Sequence, residues 1–198
     1  MKALVTGATG FIGRHLLSRL KQPIALSRHG SKRRHVLDRF DLTTYDWDPM
    51  AGPPAAQAFD EVDVVFHLAG ESVASGRWTA GQKDRIYASR VTGTRNLVRT
   101  ITSLTRPPRV LISASAVGYY GSRGDELLRE SSGPGSDFLA KLCVEWEAAA
   151  YEARSAGTRV VLPRIGLVLG PDGGALAALL KPFQMGFGGR LGNGRQWM

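Results

Sequence analysis

The segment from Lys2 to Gly13, KALVTGATGFIG, is the strongest indicator of the fold in this sequence. Its first five residues form an apolar run typical of a short strand, and a helical pattern follows from Phe11 to Leu20. Between them, Gly7 permits a sharp turn, Gly10 lets the backbone approach a pyrophosphate, and Gly13 lets the helix pack closely on the strand. The free N–H groups of the helix N-terminus favour bound phosphate. The segment therefore predicts a phosphate-binding loop, with an ordinary glycine-rich turn as the alternative.

Further strands and helices alternate along the rest of the chain. Short apolar runs predict strands at Ile24–Ser27, Thr43–Trp47, Val62–Leu68, Val110–Ala114 and Val160–Leu162. Apolar residues at helical spacing predict helices at Thr79–Leu104, at Phe138–Arg154 and from Ala175 onward. This alternation predicts an α/β fold, a Rossmann-type doubly wound parallel sheet with helices on both faces. Such sheets bind ligands beyond the carboxyl ends of their strands, so functional residues are expected directly after strands.

The composition limits the class of protein. The single cysteine excludes an internal disulfide framework and suits a reducing compartment. No apolar run approaches the ~20 residues of a membrane helix, and the first strand leaves no room for a signal peptide, so we expect a cytoplasmic protein. The net charge of +9 suits nucleic acid, a membrane surface, an anionic ligand or a generally basic surface. Because the chain has no basic–aromatic repeat and no helix-turn-helix pattern, we expect neither nucleic acid nor a membrane as partner.

The residues after the second strand indicate which dinucleotide the loop would bind. An acidic residue there would hold the ribose 2′-hydroxyl of NAD, whereas an arginine accommodates the 2′-phosphate of NADP. The chain has Ser27 and Arg28, and no acid before Asp38; the basic residues that follow are Lys32, Arg33 and Arg34. A guanidinium group matches a phosphate in shape and charge. We therefore predict NADP(H), with a solvated basic loop as the alternative.

Several motifs together resemble the short-chain dehydrogenase/reductase superfamily. They are TGATGFIG (6–13), HLAG (67–70), SRVTGT (89–94), ISASAVGYYG (112–121) and RIGLVLGPDGG (164–174). They are most similar to the extended, NAD-dependent epimerase-like branch. Two further motifs, GRWTAGQK (76–83) and PFQMGFGGRLGNGRQW (182–197), narrow the resemblance to its atypical "epimerase family protein" group. The resemblance covers essentially the whole chain.

The resemblance implies further cofactor-binding positions. Besides the three glycines, Ser27 and Arg28, they are Thr9, Phe11, Ile12, Leu68, Ala69, Gly70, Arg90 and Val168. The segment 68–70 would line the adenosine side of the cofactor, and Val168 would lie near the nicotinamide. Arg90 stands where extended members usually carry an asparagine, and it would point from the long helix toward the cofactor. A surface arginine is the alternative.

The catalytic residues that the resemblance implies are incomplete. Short-chain dehydrogenases use a tyrosine as general acid/base, a lysine that lowers its pKa and a serine that orients the substrate. Lys141, with Glu145 four residues on, fits the lysine, and Ser115, or else Ser113, fits the serine. The tyrosine position, four residues before Lys141, holds Asp137.

A carboxylate is a poor replacement for that tyrosine. Its ordinary pKa is about 4, roughly six units below that of a phenol. We therefore interpret Asp137 as a helix N-cap. A substitute acid could come from Tyr120 or Tyr119, in the loop after the fifth strand; packing under the substrate lobe is the alternative for either. His67 is interpreted as structural or adjacent to the cofactor rather than catalytic, and Cys143 as a buried helix residue. No cluster has metal-ligand spacing, so no metal site is expected.

These observations predict a dinucleotide-binding domain over residues 1–170. Residues 171–198 would begin a C-terminal substrate lobe, which the resemblance implies continues for longer than this chain. The predicted function is that of an NADP(H)-binding oxidoreductase or epimerase-like protein acting on a small carbonyl or sugar-like molecule. The alternative is a non-catalytic NADP(H) sensor or scaffold, so whether the protein is an enzyme stays open. Related proteins often pair through their long helices, which would give a homodimer.

Overall fold

The computed structural model describes residues 1–28, 34–74, 76–190 and 194. Nine strands lie in this part of the chain: β1 (Lys2–Thr6), β2 (Ile24–Ser27), β3 (Thr43–Asp46), β4 (Val62–His67), β5 (Val110–Ser113), β6 (Ser115–Ala116), β7 (Arg159–Val161), β8 (Arg164–Ile165) and β9 (Leu169–Gly170). Six of them form one parallel sheet in the order β3-β2-β1-β4-β5-β7, and β6 pairs with β8. The strand order reverses between β1 and β4, so their carboxyl ends form the crevice where doubly wound sheets bind ligands.

Helices cover both faces of this sheet. Within the described ranges the α-helices are α1 (Phe11–Leu17), α2 (Ala80–Ser103), α3 (Phe138–Tyr151) and α4 (Gly174–Gln184). Because side chains alternate along a strand, Leu4 packs in one core cluster with residues of α2 and α3, whereas Val5 packs in another with Leu17 of α1. Both strand residues are fully buried. The predicted Rossmann-type α/β fold is confirmed.

Two predicted helices are shorter in the structure. α1 ends at Leu17 rather than Leu20, where the Ser18 hydroxyl donates to the carbonyl of His15 at 2.8 Å and the chain tightens into a turn. α3 ends at Tyr151, and a short 3₁₀ helix, Glu152–Ala156, continues its direction. Its residue Ala153 is fully buried, so the apolar spacing runs on although the hydrogen bonding has changed. Periodicity alone does not separate the two helix types.

The structure also contains elements too short for periodicity to predict. The strands β6, β8 and β9 have two residues each, and three further 3₁₀ helices cover Arg34–Arg39, Ala56–Phe59 and Val117–Tyr120. The longest helix, α2, agrees well with its prediction. Its N-cap is Thr79, which accepts a hydrogen bond from the amide of Gln82 at 3.3 Å and so defines where the helix begins. Among the described residues, no helix is long and apolar enough to cross a membrane.

Candidate functional site: a cleft at the carboxyl ends of the parallel strands

An open cleft of about 580 Å³ lies at the carboxyl edge of the sheet, at the reversal of strand order. Its walls are the ends of four strands and the chain that follows each. The lining residues are Gly7, Ala8, Thr9 and Gly10 after β1; Leu26 and Ser27 of β2 and Arg28 after it; Trp47, Asp48, Pro49 and Met50 after β3; Leu68, Ala69, Gly70, Glu71, Ser72 and Ala74 after β4; and Ser89 of α2. The cleft therefore lies where ligands bind in folds of this class.

The glycines of the 7–13 loop meet steric demands that the sequence pattern predicts. Gly7 has φ +68°, and a Cβ there would lie 2.6 Å from the carbonyl carbon of Leu68, so no side chain fits between β1 and β4. A Cβ at Gly13 would overlap the carbonyl oxygen of Gly7, because the helix packs closely on the loop at this point. Gly10 is the N-cap of α1 and has no side chain to cap it, so the free N–H groups of the first turn stay available to an anion.

Ser27 and Arg28 form the end of the cleft at β2. The Ser27 carbonyl accepts a hydrogen bond from the amide of Trp47 at 3.0 Å, which fixes the chain beyond β3 beside it. The side chain of Arg28 is exposed and lines the cleft. Lys32, Arg33 and the side chain of Arg34 lie outside the described residues. Of the predicted basic cluster, Arg28 is thus the member that the structure places in the cleft.

A buried hydrogen-bond chain holds the segment after β4 in place. The Thr6 hydroxyl oxygen accepts from the amides of Leu68 and Ala69, each at 3.2 Å, and lies 2.7 Å from Nδ1 of His67. Because two amides already donate to the Thr6 oxygen, we assign the Thr6 hydroxyl as the donor to an unprotonated Nδ1 of His67, whose Nε2–H then donates to the Thr94 hydroxyl at 2.9 Å. Burial lowers the pKa of His67 to about 4, so the ring is neutral near pH 7. The structural interpretation of His67 is confirmed.

Arg90 supports the cleft wall from behind. Its Nη1 donates to the carbonyl of Glu71 at 2.9 Å, and its guanidinium group lies 5.2 Å from the ring centre of Trp146. A Cβ at Gly70 would meet the guanidinium carbon at 3.2 Å, so the cation is packed flat against the segment that lines the cleft. Burial lowers the pKa of Arg90. Arg90 itself does not line the cleft, and cofactor binding through it stays a prediction.

Gly13 and three other predicted cofactor residues also lie outside the cleft lining. The Phe11 ring occupies the space that side chains at Gly170 and Gly173 would need. Ile12 is 37% exposed on α1. The carbonyl of Val168 accepts a hydrogen bond from the amide of Ala175 at 2.9 Å. The side chain of Phe11 therefore packs against the protein, which leaves its backbone N–H in the phosphate loop.

The candidate catalytic hydroxyls belong to a separate buried network. Ser115 is 2% exposed and donates to Oε1 of Glu147 at 2.5 Å. Arg164 donates to both oxygens of the same carboxylate at 2.9 Å and, through Nη1, to the Tyr120 hydroxyl, also at 2.9 Å. Glu147 raises the pKa of Arg164, so this ion pair stays charged. Both hydroxyls are thus engaged by a buried ion pair, and neither lines the cleft.

The other members of the implied catalytic set are also placed by the structure. Asp137 is the N-cap of α3 and accepts from the amide of Ala140 at 2.9 Å, which confirms its interpretation as a cap. Lys141 is exposed on α3 and does not line the cleft. Glu145, expected to support Lys141, instead accepts a hydrogen bond from the Tyr87 hydroxyl. The sequence spacing located α3 correctly but gave no information on the partner from α2.

Sequence reasoning missed two parts of the cleft wall. One is the segment 47–50 after β3, and the other consists of Glu71, Ser72, Ala74 and Ser89. Asp48 uses its side chain locally, since Oδ1 accepts from the amide of Met50 at 3.0 Å. The signal available for 47–50 and for the segment after β4 was their position after a strand, the same rule that identified Arg28, whereas Ser89 lies within α2 and carries no such signal.

Neither a metal cluster nor a reactive cysteine accompanies the cleft in the described part of the chain. No group of three or more His, Cys, Asp or Glu residues there could hold a metal ion. Cys143 is 3% exposed on α3, and burial raises the pKa of its thiol. Its interpretation as a buried helix residue is confirmed.

Comparisons with known proteins agree with this geometry. Residues 3–198 match the model of the NAD dependent epimerase/dehydratase family. An epimerase family protein of Mycobacterium bovis is 37% identical over 196 residues, covering 98% of this chain and 62% of the relative. The human epimerase family protein SDR39U1, crystallised with NADPH, is 32% identical with a TM-score of 0.79, covering 99% of this chain and 64% of that one.

A nucleoside-diphosphate sugar epimerase from Corynebacterium glutamicum is 35% identical with a TM-score of 0.78, covering 100% of this chain and 40% of that one. The chain thus spans less than two thirds of the length of these relatives. The family match nevertheless extends from β1 through all the described elements. The chain belongs to the NAD dependent epimerase/dehydratase family.

Proposed function

We propose that this chain forms the NADP(H)-binding part of a short-chain dehydrogenase/epimerase-like oxidoreductase acting on a small carbonyl or sugar-like molecule. The observation that carries the proposal is the cleft, which brings the open N-terminus of α1, the 68–70 segment and Arg28 to one edge of the sheet. A dinucleotide would place its pyrophosphate at the glycine loop and its adenosine ribose toward β2. When bound, the nicotinamide supplies hydride transfer, and the protein supplies binding and orientation.

The choice of NADP(H) over NAD(H) rests on Arg28. At the end of β2 the cleft presents Ser27 and an exposed guanidinium group rather than a carboxylate. A 2′-phosphate there would gain a charge-assisted hydrogen bond, whereas a 2′-hydroxyl would gain little. The NADPH in the structure of the human relative supports the same choice.

Substitution of Arg28 tests this assignment. In Arg28→Ala, the dissociation constant for NADPH should rise about tenfold and that for NADH should stay unchanged, since NADH lacks the 2′-phosphate. Arg39→Ala is a matched control, because it removes an exposed arginine from a different surface depression and changes the net charge equally. Equal losses for NADPH and NADH, or equal effects of the two substitutions, would contradict the role of Arg28.

A non-catalytic NADP(H) sensor or scaffold is the second candidate function. Three observations favour it: Asp137 caps α3, and Ser115 and Tyr120 are both engaged with the Glu147–Arg164 pair. Lys141 is exposed on α3, and its presence at the implied lysine position favours the enzyme. A screen of aldehydes and ketones for NADPH oxidation separates the two. Turnover above the buffer rate identifies an enzyme, and tight NADPH binding without turnover on any substrate identifies a sensor.

The remaining expectations complete the proposal. The partner is a small molecule rather than nucleic acid, and two copies of the protein pair through their long helices. Residues 1–170 act as the dinucleotide-binding domain, and residues 171–198 begin a substrate lobe. The single cysteine supports a cytoplasmic location; the Arabidopsis thaliana relative, 39% identical, is described as chloroplastic.

A further inference from the structure

The ring of Phe11 is wedged into a turn from a distant part of the chain. In the turn 169–174, Leu169 and Gly170 form antiparallel bridges with Gly174 and Gly173. A Cβ at Gly170 or at Gly173 would overlap the Phe11 ring, so a side chain at either position would displace it. Neither glycine has a positive φ, so their backbone conformation does not require glycine. Contact with Phe11 is therefore what excludes larger residues there.

This contact joins two functionally different segments. Phe11 is the first residue of α1, directly after Gly10, so its backbone belongs to the phosphate loop. The turn 169–174 leads straight into α4, and the amide of Ala175 donates to the carbonyl of Val168 at 2.9 Å to close the junction. His15 and Asp172 lie 3.6 Å apart beside the ring, but both side chains are more than half exposed and contribute little. The packed ring therefore links the loop to the turn that begins α4.

We propose that Phe11 is a positioning residue that couples the phosphate loop to the turn 169–174 and to α4. A pyrophosphate on the N–H groups of the first turn of α1 holds that turn still, and the wedged ring transmits this restraint to the two glycines. Dinucleotide binding then stabilises the turn and the start of α4. This inference rests on the proposed function, because it requires the dinucleotide to bind at the 7–13 loop.

Hydrogen exchange measured on the full chain, with and without NADPH, tests the coupling. In the wild type, NADPH should slow exchange of the Ala175 amide and its neighbours at least tenfold. In Phe11→Ala that protection should be lost, although NADPH still binds with an affinity reduced severalfold. Tyr151→Ala is the matched control, because it removes an aromatic ring that is 41% exposed at the end of α3, away from the loop, and should keep the protection.

A second variant guards against a general effect of removing a large ring. Gly173→Ala should also abolish the NADPH-dependent protection, and adding Phe11→Ala to it should cause no further loss, since both remove the same contact. Equal protection of Ala175 by NADPH in wild type and Phe11→Ala, or no protection in a wild type that binds NADPH, would overturn the coupling. If the wild type does not bind NADPH at all, the proposed function is refuted and the coupling with it. The affinity measurement distinguishes this outcome from a failure of the coupling alone.

Discussion

Acidification should destabilise this protein through His67, which lies fully buried between Thr6 and Thr94. Its pKa is about 4 in the folded protein, because burial disfavours the charged ring, against an ordinary value of about 6.5. Above pH 6.5 the ring is neutral in both folded and unfolded states, so the full stability is present. As the pH falls from 6.5 toward 4, only the unfolded chain takes up a proton, and stability is lost.

The size of the loss follows from the same two pKa values. One pKa unit corresponds to about 1.4 kcal/mol, so the proton taken up by unfolded His67 lowers the free energy of unfolding by about 2 kcal/mol at pH 5. The loss reaches its limit of about 3 kcal/mol below pH 4. Because typical domains are stable by about 5–15 kcal/mol, this single side chain removes a large fraction of the stability.

Urea unfolding at pH 7.5 and pH 5.0 measures this effect in the wild type and in His67→Gln. The glutamine does not titrate, and its amide can still hydrogen-bond a neighbouring threonine. Carboxylates elsewhere titrate in both proteins, so the difference between them isolates His67. The wild type should lose about 2 kcal/mol more than the variant between the two pH values. The same loss in both proteins would refute the assignment of a buried neutral histidine.

Three further substitutions test the cleft, the cap and the buried network. Gly10→Val should weaken NADPH binding at least 100-fold while the protein stays folded, because the side chain would block the phosphate loop; Gly133→Val, whose added atoms meet open space, is the control measured by the same calorimetric titration. Asp137→Ala should lower the unfolding free energy by about 1 kcal/mol, and Asp137→Asn, which keeps an accepting oxygen, by much less, as read from urea midpoints. Glu147→Leu should cost about 3–5 kcal/mol in urea unfolding, because it leaves Arg164 as an unpaired, largely buried charge. A loss below about 1 kcal/mol would show that the pair is not essential to the fold.

The sequence predicted the sheet and the glycine loop because local physics determines both. The strand Lys2–Thr6 and its turn combine an apolar run with a glycine that must adopt a positive φ, and neither depends on distant residues. The end of β2 was predicted by the same reasoning, since any residue after a parallel strand faces the ligand edge. Asp48 and Glu71 also follow parallel strands and line the cleft. They were missed, because the sequence does not show what their side chains would bind.

The side-chain partners of the implied catalytic set could not be predicted, because they come from distant elements. Glu147 joins Ser115 and Arg164, and Arg164 joins Tyr120, across separations of 17 to 44 residues along the chain. Sequence spacing places Lys141 and Glu145 on one helix but does not show that Tyr87 of α2 bonds to the carboxylate. Asp137 was interpreted correctly, because an N-cap is a local feature of the helix that it begins.

The preference of the cleft for NADP(H) is tested most directly by the ratio of the dissociation constants of the wild-type chain for NADH and NADPH. Both are measured by calorimetric titration in one buffer at one salt concentration, since charge-assisted contacts weaken with salt. We predict that NADPH binds at least tenfold more tightly, a difference of about 1.4 kcal/mol, because the Arg28 guanidinium at the end of β2 engages the 2′-phosphate. Equal affinities, or tighter binding of NADH, would contradict the assignment of this cleft as an NADP(H) site.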